Sequence, residues 1–270
     1  MRRRGETGKA MLSIELVPRD IDELRRQTLE VTGAFGGFSW LNIPDIRRLP
    51  VRSYEAALEL GPLPVRTVPH VRARDRSVAE TVALLRRLEG AGVRDVLIVT
   101  GDRFDHEEEA AHPTTLEVIA QASRELEAVN LWAAFDPYRS ELKAELEYAE
   151  AKLEAGAKGL FTQPFFDPRF AAICLDQLDG VEVFVGITPV TSEKSARYWE
   201  RQNRVVFPPG FEATLEACAR LSVELMQLAR EYGQRAYLMP IAVDPMAYLK
   251  AVAAAEGGEA LLCGRHELIS

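Results

Sequence analysis

The chain has 270 residues, of which 47% are hydrophobic and 27% charged, which is ample for one large core. Its formal net charge is −8, with acidic and basic residues interspersed, and this composition argues against a nucleic-acid-binding protein. No apolar stretch approaches the length of a membrane span and no signal peptide is visible, so we expect a soluble, cytoplasmic protein that does not bind membranes.

Residues 1–10 have a composition unlike that of the following sequence. They contain Arg2, Arg3 and Arg4 with two glycines, and they show no apolar periodicity. We predict a disordered leader over 1–10 and a single catalytic domain over 11–270. Met11 is an alternative start. A basic arm for nucleic acid is the competing interpretation of the leader, although three arginines alone are weak evidence for it.

Eight short apolar runs, rich in β-branched and aromatic residues, are typical of buried parallel strands. We predict strands at 12–17, 38–43, 65–71, 95–100, 131–136, 159–163, 181–187 and 235–241. Helical spacing between them predicts helices at 20–31, 53–59, 77–88, 113–128, 140–154, 168–177, 192–202, 212–232 and 245–255. Asp20 and the S-V-A-E sequence from Ser77 are typical N-terminal caps, and Pro113 is tolerated in a first helical turn.

The regular alternation of strand and helix indicates a parallel sheet with right-handed crossovers. A doubly wound open sheet is the alternative, but it would normally carry a glycine-rich phosphate turn. No G-x-G-x-x-G or Walker sequence occurs. The chain length is also close to that of a single α/β barrel. We therefore predict one domain of the α/β class, a (β/α)8 TIM barrel.

The three cysteines, Cys174, Cys218 and Cys263, are odd in number and widely spaced. This pattern predicts free thiols in a reducing compartment. No metal site is predicted, because His106, His112 and His266 do not combine with cysteines at zinc spacing. The acidic run at 105–109 is interpreted as an exposed loop.

Most of the predicted strands end in a polar side chain, which is how a barrel of this kind builds an active site. Glu15 ends the first strand between Ile14 and Leu16, where burial would raise the pKa of its carboxyl group and suit it to general acid catalysis. A carboxylate paired with a neighbouring arginine is an equally good interpretation. Asn42 ends the second strand in the same way.

His70 ends the third strand and Asp102 follows the fourth, so adjacent strands would bring both to one rim. The pair could be purely structural, but Gly101 beside Asp102 favours a site that a ligand approaches closely. Gln163 ends the sixth strand and could read the edge of a heterocycle or simply cap a loop. The nearby Phe166 follows a rim position, although such a residue is more often part of the core.

Several motifs together resemble those of the methylenetetrahydrofolate reductase family, in the same order and with similar spacing over most of 11–255. They lie at 13–18 (S-I-E-L-V-P), 69–70 (P-H), 100–102 (T-G-D), 155–157 (A-G-A), 161–167 (F-T-Q-P-F-F-D) and 186–190 (G-I-T-P-V). The resemblance implies a (β/α)8 barrel. It also implies reduction of 5,10-methylenetetrahydrofolate to 5-methyltetrahydrofolate in one-carbon metabolism, usually with bound FAD that takes hydride from NADH or NADPH.

The resemblance also assigns roles to residues. Glu15 would be the acid that protonates the bridging nitrogen, and Asp102 would stabilise the iminium cation that follows. The resemblance and the strand-end positions together give the substrate site as Gln163, Asn42 and Phe166. They give the cofactor site as His70, Thr100, Gly101, Asp102, Ala134 and Lys152, the last of these near the cofactor phosphates.

Some positions depart from the family pattern. The usual Thr-Tyr-Gly-Ala after the second strand reads L-N-I-P-D at 41–45, and the usual Arg-Gly-Asp reads Thr100-Gly101-Asp102. Both changes affect the flavin site more than the folate site. Divergent family members are thought to pass hydride directly from NADH to the folate, so FAD-dependent and direct transfer both remain open.

Two other functions remain open at this point. One is a methyltransferase or demethylase acting between tetrahydrofolate and a corrinoid protein, and the other is a non-catalytic folate-binding subunit. Retention of Glu15, Asp102 and Gln163 together argues against the second. The expected partner is a small tetrahydrofolate derivative, and homo-oligomerisation is left open.

Overall fold

A computed structural model describes residues 12–101 and 112–264 of the chain. In these residues eight parallel strands follow one another around a closed barrel, with β8 pairing to β1. The strands are β1 (Leu12–Glu15), β2 (Phe38–Ile43), β3 (Arg66–Arg72), β4 (Asp95–Val99), β5 (Asn130–Phe135), β6 (Gly159–Pro164), β7 (Glu182–Ile187) and β8 (Arg235–Leu238). The prediction of a (β/α)8 TIM barrel is confirmed. The leader, Asp102 and the acidic run at 105–109 lie outside the described residues.

Helices lie between the strands and cover the barrel. In the described residues they are α1 (Ile21–Ala34), α2 (Ser53–Glu59), α3 (Val78–Gly90), α4 (Thr115–Glu125), α5 (Leu142–Glu154), α6 (Pro168–Gln177), α7 (Glu193–Asn203), α8 (Leu215–Glu231), α9 (Pro245–Ala254) and α10 (Gly258–Cys263). A short 3-10 helix, Ala73–Asp75, follows β3 directly.

Side-chain caps explain where several helices begin. The carboxylate of Asp20 accepts the backbone N–H of Glu23, and Ser77 forms the predicted reciprocal capping box with Glu80. The predicted start of α4 at Pro113 is wrong. Thr114 caps this helix instead, because its hydroxyl accepts the N–H of Glu117 while the Glu117 carboxylate accepts the N–H of Thr114.

The prediction that the helix at 245–255 is the last element is also wrong. The chain turns through Gly257, whose φ is +79°, and forms α10. This helix meets the sheet where the carbonyl of Leu262 accepts the backbone N–H of Gly37 at 2.8 Å, just before β2. The six residues of α10 are too few to show a helical period in the sequence.

The pleat of the strands separates two apolar regions. Outward-facing strand residues such as Ile14, Leu41 and Val185 join the main core under the helices. Inward-facing residues form a separate cluster inside the barrel, consisting of Val68, Leu97, Trp132, Phe161, Phe184, Tyr237 and Met239. The rings of Phe161 and Phe184 stack there at 4.0 Å. The barrel is therefore filled, and its polar residues lie above this aromatic floor, at the carboxyl ends of the strands.

Candidate active site

Glu15, the predicted acid, ends β1 at the rim and is half-buried. Its Oε2 accepts a hydrogen bond from the hydroxyl of Tyr237, which rises from the aromatic floor on the neighbouring β8. Desolvation raises the pKa of Glu15 from its ordinary 4.5 to about 7, and the hydrogen bond from Tyr237 opposes part of that rise. An acid with this pKa can give up a proton near neutral pH.

Asn42 and His70 belong to one polar chain that crosses three strands. The hydroxyl of Ser13 donates to the carbonyl of Trp40 at 3.5 Å, which leaves the hydroxyl oxygen to accept from Nδ2 of Asn42. The Oδ1 of Asn42 lies 3.0 Å from Nε2 of His70. Since Oδ1 can only accept, His70 carries its proton on Nε2 and presents Nδ1 as an acceptor.

Burial fixes the charge of His70. The side chain is buried and desolvation lowers its pKa from 6.5 to about 3, so the ring is neutral at physiological pH. His70 can therefore form hydrogen bonds in this site, but it does not act as a general acid. Its backbone carbonyl accepts the hydroxyl of Ser53, which ties the end of β3 to the start of α2.

Gly101, two residues beyond β4, faces the guanidinium of Arg72 on β3. A Cβ added at Gly101 would lie 2.8 Å from Nε of Arg72, and the φ of Gly101 is +87°. Only glycine fits both conditions without strain. Thr100 precedes this glycine, and Asp102, predicted to stabilise the cation, lies outside the described residues.

Charged side chains at the carboxyl ends of β2 and β3 link the segments that follow these two strands. The Nε of Arg72 donates to Asp75 at 3.0 Å, and Arg52 joins the other oxygen of Asp75 to Asp45 with contacts of 2.6 Å each. Desolvation raises the pKa of Asp75, but the hydrogen bonds from Arg52 and Arg72 outweigh this effect and lower it overall. These side chains fix the loops after β2 and β3.

Lys152 lies beneath the end of β5. Its Nζ donates to the carbonyl of Ala134 at 2.6 Å and lies 3.7 Å from Glu145, with 3% of the side chain exposed. Glu145 is also held by Arg139 and by the backbone N–H of Asp136 at 3.0 Å. Burial lowers the pKa of Lys152 to about 8, and the charge of Glu145 opposes this effect. The ammonium group and the Ala134 carbonyl thus satisfy each other.

Gln163 lies in an irregularity of β6. The register with β7 shifts between Phe161 and Pro164, and the hydroxyl of Thr162 accepts the backbone N–H of Gly186 at 2.8 Å. A Cβ at Gly186 would lie 2.5 Å from the carbonyl of Thr162, so this close approach requires glycine. Such irregularities redirect side chains at barrel rims, and Gln163 is half-buried there.

Phe166 is buried in a small aromatic cluster beyond the ends of β6 and β7. Its ring contacts Trp199 of α7 and both Phe207 and Phe211 of the following loop. The cluster holds α7 and this loop against the barrel. Phe166 therefore reaches a ligand only if these elements move.

Six of the predicted residues fall into two groups. Glu15, Asn42 and His70 meet on adjacent strands, whereas Lys152, Ala134 and Phe166 have partners within the protein elsewhere. Sequence reasoning missed Tyr237, and a tyrosine on an inward position of the last strand was the signal that could have found it. The catalytic and binding roles of the predicted site residues stay predictions.

Three further findings concern the cysteines, metal ligands and membrane spans. Cys174, Cys218 and Cys263 are free thiols, as predicted. In the described residues no group of three or more His, Cys, Asp or Glu side chains is placed to hold a metal ion. None of the helices in 12–101 or 112–264 is long and apolar enough to span a membrane.

In TIM barrels with known activity the active site lies at the carboxyl ends of the strands, which is where Glu15, Asn42 and His70 lie here. The family model described as methylenetetrahydrofolate reductase matches residues 51–228, about two thirds of the sequence. The chain belongs to the methylenetetrahydrofolate reductase family. Glu15 and Asn42 precede the matched segment, so their assignment depends on the structure and on the motif around Glu15. No curated protein matches the chain.

Solved structures of similar fold are distant in sequence. An uncharacterized protein from Clostridium thermocellum that binds two copies of 5-methyl-5,6,7,8-tetrahydrofolic acid is 14% identical, with 96% of each chain covered and a TM-score of 0.64. Oxaloacetate acetylhydrolase is 14% identical, with 89% of this chain and 78% of that chain covered and a TM-score of 0.56. A 2,3-dimethylmalate lyase is 14% identical, with coverages of 98% and 85% and a TM-score of 0.57. At these identities the likeness concerns the fold alone.

Proposed function

We propose that the protein reduces 5,10-methylenetetrahydrofolate to 5-methyltetrahydrofolate with hydride taken directly from NADH or NADPH. The observation that carries the proposal is Glu15, a rim carboxyl group with a pKa of about 7. Membership of the family supports the substrate class. The similar fold that binds 5-methyltetrahydrofolic acid is consistent with a folate in such a barrel.

The chemistry requires one proton and one hydride. Glu15 gives its proton to the bridging nitrogen of the folate, the bond from that nitrogen to the methylene carbon breaks, and an iminium cation forms. Hydride from the nicotinamide then adds to this carbon and gives the methyl group and NAD(P)⁺. Neutral His70 and Asn42 supply hydrogen-bonding groups beside Glu15, and the cation-stabilising role falls to Asp102 by family resemblance.

Two of the residues assigned to FAD do not fit that cofactor in their described positions. A Lys152 that contacts a flavin phosphate would have to leave both Ala134 and the buried Glu145. Abandoning a buried carboxylate in this way is costly. The proposal therefore takes the direct route, and no step passes through a flavin.

The test begins with the absorbance spectrum of the purified protein, followed by oxidation of NADH and NADPH with 5,10-methylenetetrahydrofolate. We expect no flavin band and formation of 5-methyltetrahydrofolate equal to the nicotinamide oxidised. A stoichiometric flavin that the substrate oxidises would replace the direct route with the flavin-dependent one. Folate binding without nicotinamide oxidation, with or without flavin, would overturn the reductase proposal and favour methyl transfer or a binding role.

A pair of variants tests the acid. Glu15→Gln keeps the shape of the side chain and removes the transferable proton, so turnover should fall by about 100-fold or more while 5-methyltetrahydrofolate still binds. Glu182→Gln is the matched control. It makes the same chemical change at the opposite end of the barrel, where Glu182 pairs with Arg235 at 2.8 Å. Normal turnover by Glu15→Gln would remove Glu15 from the mechanism.

A further inference from the structure

Tyr237 is the side chain that donates a hydrogen bond to Glu15. It lies on β8, its ring packs edge-on against Phe161 with centroids 5.2 Å apart, and its hydroxyl donates to Oε2 of Glu15. Burial and the neighbouring carboxylate raise the pKa of Tyr237 well above 10, so the phenol keeps its proton near neutral pH. It is a permanent donor to one oxygen of Glu15.

We propose that Tyr237 is the positioning residue of Glu15: it occupies Oε2 as an acceptor, so that the proton that Glu15 transfers is carried by Oε1. In a carboxylic acid one oxygen carries the proton and the other is the better acceptor. A donor fixed at Oε2 therefore selects Oε1 as the hydroxyl oxygen. The aromatic floor prevents the tyrosine ring from moving away, because Phe161 in turn stacks on Phe184.

The charged surroundings of Glu15 are simple in the described residues. β1 pairs with β2 and β8. β2 has no titratable side chain. Besides Tyr237, β8 has Arg235, which pairs with Glu182 at the far end of the barrel. The two influences on the pKa of Glu15 are thus burial and the Tyr237 hydroxyl. Removing the hydroxyl leaves burial unopposed and should raise this pKa further.

The inference rests on the proposed function for its catalytic part alone. Tyr237→Phe deletes the hydroxyl and keeps the ring, so the floor should stay packed. We expect the pKa of Glu15, followed by carbon-13 NMR of its carboxyl group without substrate, to rise by about one unit. An unchanged or lower pKa in the variant would overturn the proposal, whatever the reaction of the protein is.

The reductase assay supplies the second readout. Activity that needs protonated Glu15 declines as pH rises through its pKa, so this decline should move to higher pH in Tyr237→Phe. The maximal kcat should fall about ten-fold, because the proton is no longer confined to one oxygen. An unshifted profile with full kcat would contradict the positioning role. A pKa that moves in a protein with no reductase activity would instead leave Tyr237 in place and reject the proposed function.

Tyr248→Phe is the matched control. Tyr248 on α9 is fully buried in the main core under the helices, and its hydroxyl lies 2.7 Å from that of Ser222. Its removal costs a buried hydrogen bond of the same kind and should leave the pKa of Glu15 and the pH profile unchanged. If both variants moved the profile equally, the effect would be general destabilisation and the proposal would fail.

Discussion

The guanidinium of Arg72 occupies the space into which a side chain at Gly101 would project. The Nε and Cζ atoms of Arg72 would lie 2.8 and 2.9 Å from an added Cβ. Arg72 is buried and bonded to Asp75, so it cannot move aside as a surface arginine would. The end of β3 thereby dictates glycine directly before Asp102, and the T-G-D motif depends on a residue that is distant in sequence.

Gly101→Ala should destabilise the protein more than its backbone conformation alone explains. A positive φ costs alanine about 1 kcal/mol, and the contact with Arg72 should add about 1–3 kcal/mol. Gly92→Ala is the control, since Gly92 has a φ of +86° with open space around it. Urea unfolding of both variants measures the difference. Equal losses would mean that Arg72 moves freely.

The raised pKa of Glu15 predicts how stability changes with pH. Between 4.5 and about 7 the folded state binds more protons than the unfolded state, so the free energy of unfolding falls as pH rises through this window. Glu15→Gln has no such titration. Its free energy of unfolding should match that of the wild type near pH 4 and exceed it by up to about 3 kcal/mol at pH 8. The same difference at both values would show that Glu15 titrates normally.

The lowered pKa of His70 should change the pH dependence of stability in the opposite direction. Its folded pKa of about 3 lies below 6.5, so the unfolded state binds the extra proton and stability falls as pH is lowered between these values. His70→Gln places an amide where Nε2 donates to Asn42 and removes the titration. Between pH 6.5 and 3 the free energy of unfolding of the variant should therefore fall by about 3–5 kcal/mol less than that of the wild type. Parallel pH curves for the two proteins would contradict a buried neutral histidine.

The barrel and one part of its rim could be predicted from the sequence. Strand periodicity and the caps at Asp20 and Ser77 depend on neighbouring residues, and the strand-end rule brought Glu15, Asn42 and His70 together. Tyr237 was missed because it lies 222 residues from Glu15 and no local pattern pairs the two residues. The signal was its inward position on β8, which barrel closure places beside β1.

Two other predicted site residues have partners within the protein that the sequence did not indicate. Phe166 follows a rim strand, but the loop after α7 buries it, and no local pattern shows that this loop folds back. Lys152 was assigned to the cofactor phosphates by family resemblance. In the structure Lys152 lies 3.7 Å from the buried Glu145, which is seven residues earlier on the same face of α5.

Lys152→Met tests that structural interpretation against a cofactor role. The substitution leaves Glu145 buried with fewer partners, so the free energy of unfolding should fall by about 3 kcal/mol, and Glu145→Gln in the same chain should restore part of it. Lys143→Met is the control, because its exposed pair with Glu147 spans 3.8 Å and should matter by less than about 0.5 kcal/mol. If Lys152 instead held a cofactor phosphate, Lys152→Met would keep its stability and lose affinity for FAD or the nicotinamide nucleotide. Unfolding curves and nucleotide titrations of the same three variants separate the two roles, since the buried pair predicts a loss of stability that the double substitution reverses.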